Sequence, residues 1–191
     1  MNIYKFKRLF YRFLGRDTYP SVEELRRLGM KIGNNVDIIK SFIDPLFPEM
    51  LEIGDNVTIT NSTLLVHDAS TRKSLGYSKF APIHIGNNVF VGYGSIILPG
   101  VDIGDNVIIG AGSVVTRNIN SNCVVAGTPP HIIMPYTDYM EKIHNSMNKN
   151  NVYDSLPIQL NNRMFILDKY NGKLLKNINF SSKQYIMYFD D

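Results

Sequence analysis

The sequence predicts an all-β solenoid, and a six-residue period with two internal regularities carries that prediction. An aliphatic residue, most often followed by a small one, recurs at Ile85-Gly86, Val91-Gly92, Ile97-Leu98, Ile103-Gly104, Ile109-Gly110 and Val115-Thr116. Earlier copies begin at Ile32-Gly33 and Ile53-Gly54, the latter continuing in phase through Ile59-Thr60 and Leu65-Val66. The fifth position of each hexad is small or β-branched: Val57, Val89, Ser95, Val101, Val107, Ser113. An amphipathic helix repeats about every 3.6 residues and a strand every ~2, so a period of six is neither. It fits a coil with three flat faces, in which three hexads make one turn of about eighteen residues and each aliphatic side chain stacks inward on its equivalent one turn away. Tight corners follow, with Gly and Asn at 33–35, 54–56, 86–88 and 104–106 expected to supply positive φ.

The interruptions matter as much as the repeat. The period slips between Ile32 and Ile53, where Pro45 and Pro48 fall, and Leu65 to Ile85 is too long a gap for whole hexads. The polar segment 67–82, carrying Tyr77 and Phe80, reads as a loop thrown out of the coil, and loops on rigid scaffolds commonly carry function. Three regions result: an N-terminal helical segment at 1–31, the coil at 32–135 with the extruded loop 67–82, and a C-terminal helix and β extension at 136–191. In the first, Ile3, Phe6, Phe10 and Phe13 or Leu14 fall near helical spacing among eight Lys/Arg and three acids. That pattern is a short basic amphipathic helix, either packed on the coil or loosely associated with anionic lipid. In the last, Tyr136–Asn150 reads as a helix, Met164–Leu167 and Gln184–Phe189 as strands, and Asn171-Gly172 as a hairpin turn.

Composition narrows the function classes. The chain has 191 residues, 44% hydrophobic and 19% charged, with a net charge of +3, too small to argue for nucleic acid. No apolar run approaches a bilayer span and the basic, aromatic N-terminus makes a poor signal peptide. With Cys123 the lone cysteine, the chain is expected in the cytoplasm.

The segment "IGNNVFVGYGSIILPGVDIGDNVIIGAGSVVTRNI", followed by "VVAGTPP", resembles the hexapeptide-repeat acetyltransferases, which include maltose, galactoside and serine acetyltransferases and polysaccharide O-acetyltransferases. With "LEIGDNVTIT" and "LLVHDAS", the match covers about half of the chain. The resemblance implies a left-handed parallel β-helix, a hand that composition cannot supply, and a homotrimer with acetyl-CoA as co-substrate in a groove between adjacent coils. It implies no metal.

By the same resemblance, His67 stands where relatives place the catalytic histidine. The chemistry agrees: moving an acetyl group from a thioester to a hydroxyl requires removal of the hydroxyl proton, and a neutral imidazole is a natural general base. No Ser or Cys nucleophile is needed, because the thioester is already activated. Asp68 is one candidate for orienting the ring and a backbone carbonyl is another. The cofactor-binding positions implied are Tyr93, Gly94, Ala111, Gly112, Thr116 and Arg117, with His131 as a weakened phosphate contact. Acceptor-binding candidates are Asp44, Asn61, Asp68, Tyr77 and Phe90, the last replacing the Trp common in "VWIG"; Asp44 can equally be a turn residue before Pro45. His84 is the competing histidine and should point outward, since it directly precedes an inward Ile85.

The expected activity is O-acetylation of a sugar hydroxyl in surface polysaccharide or glycan synthesis. N-acetylation of an amino sugar and a non-catalytic binding scaffold are the alternatives. A carbonic-anhydrase reading of the same coil needs three His ligands, and the repeat holds only His67 and His84.

Overall fold

The computed structural model describes residues 19–44 and 47–146 and, beyond them, only five short strands. The proposed N-terminal amphipathic helix at 3–14, Pro45 and the Asn171-Gly172 turn lie outside the described residues. Two compact units are formed, Met1–Tyr139 and Met140–Asp191.

The first unit is a three-sided coil of parallel strands. One face stacks β1 (Lys31–Ile32), β4 (Leu51–Ile53), β9 (Ile83–Ile85) and β12 (Asp102–Ile103). The second stacks β2 (Asp37–Ile39), β5 (Thr58–Thr60), β10 (Val89–Val91), β13 (Val107–Ile109) and β15 (Cys123–Gly127), closed by antiparallel β16 (Pro130–Pro135). The third stacks β3 (Phe42–Ile43), β6 (Thr63–Leu64), β11 (Ile96–Ile97) and β14 (Val114–Val115). The chain visits the faces in rotation, and Val89 pairs with Val107 one turn later. At the N-terminal end, α1 (Val22–Arg27) is held by a capping box between Ser21 and Glu24. Its Leu25, with Met30, covers the end of the core, and Arg26 donates through Nε to Ile32 O at 3.2 Å and through Nη2 to Gly33 O.

The hexad phase dictates most of what is buried, with a slip of one residue on the third face, where Leu64 and not the expected Leu65 pairs with Ile97 and points inward. Ile53, Ile59, Ile85, Val91, Ile97, Ile103, Ile109 and Val115 point inward, as do Val57, Val89, Val101 and Val107 between them. Burying each such side chain contributes about 1.5–3 kcal/mol. Ser41, Ser62, Ser95 and Ser113 form a buried hydroxyl column at the edge between the second and third faces. Each hydroxyl donates to a backbone carbonyl, as Ser62 does to Gly92 O at 3.0 Å and Ser113 to Gly110 O at 2.6 Å, so the polar column is satisfied.

The corners between the first and second faces differ from expectation in one respect. Positive φ belongs to asparagines alone: Asn35, Asn56, Asn88, Asn106 and Asn122, at +53° to +64°. Their side chains form a continuous ladder, each Nδ2 donating to the next Oδ1 at 2.8–3.1 Å. The preceding glycines serve close approach instead. A Cβ on Gly86 would lie 2.8 Å from Gly104 C and 2.9 Å from Asp105 N, backbone atoms that cannot swing aside.

In the second unit, β18 (Ile158–Leu160), β19 (Arg163–Leu167) and β20 (Leu174–Lys176) form an antiparallel sheet, while β17 (Val152–Tyr153) pairs with β21 (Tyr185–Ile186). Leu167 pairs with Leu174 at the end of the β19–β20 ladder. The helix Tyr136–Ser146 spans the boundary between the units.

Gly86→Ala should cost roughly 1–3 kcal/mol through overpacking. Gly76→Ala, at φ +78° in open space, should cost only about 1 kcal/mol. Urea denaturation checks the order; equal midpoints for the two variants would contradict the close-approach account.

Candidate active site

Two excursions leave the coil at the same edge, between the third and first faces, in successive turns. The first follows β3 and carries Asp44, Phe47 and the short 3-10 turn Pro48–Met50. The second follows β6: His67–Asp68 (β7) pairs antiparallel with Lys79–Phe80 (β8), joined through α2 (Arg72–Leu75) and a left-handed Gly76. Corresponding coil positions are 21 residues apart between the first two turns and 32 between the next two, against 18 for an uninterrupted turn. The surplus residues are these excursions.

Because Ile43 pairs with Leu64, Asp44 lies beside the chain that leads into His67. His67 Nδ1 is hydrogen-bonded to Asp44 Oδ2, the aspartate side chain is wholly buried, and the same oxygen accepts the Val66 amide at 3.3 Å. A carboxylate can only accept, so Nδ1 is the donor in this bond, and Nε2 lies on the far side of a ring 29% exposed. The arrangement is an imidazole held through Nδ1 by a buried carboxylate. Asp44 therefore acts from beneath the ring and not as an acceptor-facing group or a simple turn residue. Asp68 does not hold the ring: its Oδ1 accepts the Ser70 amide at 2.8 Å, and the Ser70 amide and hydroxyl keep this exposed carboxyl below the usual carboxylate range. The ring partner is also no backbone carbonyl.

The other sequence candidates fall on different edges. Asn61, Gly94 and Gly112 take positive φ on the edge between the second and third faces; Gly94 N donates to Asn61 O at 3.2 Å and Gly112 N to Tyr93 O at 2.8 Å. Tyr93 and Ala111 are exposed there. Thr116 and Arg117 lie on the same edge as His67, further along the coil, and Arg117 makes no ion pair among the described residues. Phe90 points outward from the second face between Thr58 and Ile108. Tyr77 is exposed on the extruded loop, and His131 is exposed on β16 opposite Ala126. Within one chain the third face separates the Tyr93 edge from the His67 edge. His84 points outward, half exposed, with Nδ1 2.5 Å from Asp102 Oδ1. Cys123 is buried, its thiol pushed up by desolvation, which disfavours the reactive thiolate. Among the described residues no group of three or more His, Cys, Asp or Glu could hold a metal ion.

A three-sided coil of parallel hexad strands defines a class of fold, and comparison with known proteins gives the family. Residues 82–117 match the family model described as bacterial transferase hexapeptide (six repeats). Protein CapG of Staphylococcus aureus is 40% identical over 145 residues, covering 72% of this chain and 83% of that protein. Galactoside O-acetyltransferase of Escherichia coli (strain K12) is 46% identical over 92 residues, covering 45% of this chain and 44% of the relative. Among solved structures, a maltose O-acetyltransferase from Clostridium difficile 630 is 32% identical with a TM-score of 0.48, covering 69% of this chain and 84% of that one. The chain belongs to the hexapeptide-repeat transferases and is an acyltransferase.

The Asp44–His67 bond has a direct signature. The His67 Nδ1 proton, shielded from exchange by a buried acceptor, should give a downfield resonance in proton NMR. Asp44→Asn should remove it and His84→Ala should not; persistence of the signal in Asp44→Asn would refute the pairing.

Proposed function

We propose that the chain is an acetyl-CoA-dependent O-acetyltransferase acting on a sugar hydroxyl in surface polysaccharide or glycan synthesis. The observation that carries this reading is the His67–Asp44 pair, with Nε2 left to face an acceptor. The named activity of the galactoside relative supports the sugar acceptor. In the proposed reaction the acceptor oxygen attacks the thioester carbonyl as its proton passes to His67 Nε2. Asp44 stabilises the imidazolium that forms. The tetrahedral intermediate collapses with cleavage of the carbon–sulfur bond, and the imidazolium returns the proton to the leaving CoA sulfur. Acetyl ester and free CoA thiol result, and the base is regenerated.

The same reading takes the coil as left-handed and the working unit as a cytoplasmic homotrimer. Tyr93, Gly94, Ala111 and Gly112 of one chain would then approach the His67 edge of the next, which joins residues that a single chain keeps apart. Thr116, Arg117 and His131 are assigned to CoA. Asn61, Asp68, Tyr77 and Phe90 remain the acceptor candidates. No helix among the described residues is long and apolar enough to cross a membrane; peripheral attachment through the basic N-terminus is part of the proposal.

His67→Ala should lower turnover by about two to four orders of magnitude while leaving CoA binding intact, measured by thiol release against candidate sugars. His84→Ala should stay near wild type, because it pairs with an exposed Asp102 in the outward row of the first face. Full activity in a folded His67→Ala protein overturns the assignment.

Arg117→Ala should raise KM for acetyl-CoA with little change for the acceptor, since a guanidinium offers a phosphate two donors that alanine lacks. Light scattering on the same preparations should give three chains per particle. Equal effects on both substrates, or a fully active monomer, count against the inter-chain groove.

A further inference from the structure

Asp44 holds the His67 ring along its edge, but an edge contact alone leaves the ring free to swing about the bonds that join it to the backbone. Its face is also occupied. Phe80 lies directly opposite His67 in the β7–β8 pair, and the two rings stack with centroids 5.9 Å apart and planes 25° apart. Phe80 meets Phe47 edge to face, at 4.8 Å and 78°. The strand pairing is continued where the Ala81 amide donates to Val66 O at 3.0 Å. Phe47 belongs to the same excursion as Asp44, so one segment of the preceding turn reaches the imidazole by two routes: a carboxylate at Nδ1, and an aromatic brace behind the ring that stacks on it.

Simple loop packing would explain an aromatic pair. It does not explain why Phe80, 42% exposed, spends its contact on the histidine face. The spacing of each contact is in the range at which aromatic pairs attract beyond their buried area, about 4.5–7 Å. We propose that Phe80, braced by Phe47, is a positioning residue for His67. Asp44 determines which nitrogen faces outward, and Phe80 determines where that nitrogen points. The inference rests on the reading of His67 as the general base.

The test uses the full chain. Phe80→Ala should lower kcat roughly 3- to 10-fold, the population loss expected when one aromatic contact is removed, with KM for acetyl-CoA unchanged. Phe80→Tyr should restore kcat, and Phe47→Ala should add little to Phe80→Ala. In carbon-labelled histidine spectra, the His67 ring resonances lie in the ring current of Phe80 and should move in Phe80→Ala. Leu75→Ala, on the exposed part of the same loop, should change neither kcat nor those resonances. Unchanged kcat and unchanged His67 resonances in Phe80→Ala, while His67→Ala is inactive, overturn the positioning role and leave the base standing. An active His67→Ala overturns both. Should Phe80→Ala not fold, Phe80→Leu keeps apolar volume without the ring face, and the same pair of readouts decides.

Discussion

Every part of this coil depends on how closely one turn can approach the next at its corners. The strands are only two or three residues long on most faces, too short to fix a register by themselves. Register is instead enforced at the corner that follows each strand of the first face. There Gly33, Gly54, Gly86 and Gly104 lie against the backbone of the next turn, with no room for a Cβ. Directly after them, Asn34 N, Asp55 N, Asn87 N and Asp105 N each donate to a side-chain oxygen of the following turn, at 2.6–2.9 Å. The asparagine ladder adds a second file one residue further on. An error of one residue at any corner would break both files and turn the aliphatic positions outward.

A scaffold so constrained at one edge can be interrupted at another. Both excursions leave at the edge between the third and first faces, where Leu65 N still donates to Ile97 O and Gly100 N to Pro82 O on either side of the loop. The coil therefore closes beneath the inserted residues. His67 stands at that root. Its backbone is fixed by the pairing of β7 with β8, its ring edge by Asp44 and its ring face by Phe80. That arrangement suits the proposed role, which needs a nitrogen held in place before the substrate arrives.

The sequence made the coil legible because its signal is redundant: a dozen inward positions repeat one chemistry, and losing several would not hide the period. The same redundancy explains the misread corner. Gly and Asn adjoin in every copy, so composition alone cannot say which of them takes positive φ and which admits a neighbour. The site was half legible. His67 stood out by type and place. Asp44 was singled out as an acceptor contact or a turn residue, because the slip between Ile32 and Ile53 hid the pairing of Ile43 with Leu64 that sets it beside His67. Phe80 was noted only as a member of the extruded loop, and Phe47 was assigned no role. Their contacts depend on an antiparallel pairing inside an aperiodic loop, which no repeat can announce.

Two histidine–aspartate pairs in one coil show why geometry alone does not make a site. His84 and Asp102 face each other across neighbouring strands of the first face, in an outward row that also carries Lys31 and Glu52 with their own ion pair at 3.2 Å. Both partners are about half exposed, and Asn118 shares the Asp102 carboxylate at 3.3 Å. Water screens such a pair, and exposed pairs of this kind contribute about 0–1 kcal/mol. At Asp44 the carboxylate has no contact with solvent. A buried acceptor cannot exchange its partner for water, so in the proposed reaction its bond to Nδ1 would hold while Nε2 takes up a proton, and the charge developing on the ring would meet an opposite charge in a medium of lower dielectric. The difference lies in where the coil puts each aspartate. Asp102 lies within an unbroken hexad and must point outward, whereas Asp44 follows an inward Ile43 at a corner where the period breaks, and only there can a carboxylate turn under the edge to meet the ring above.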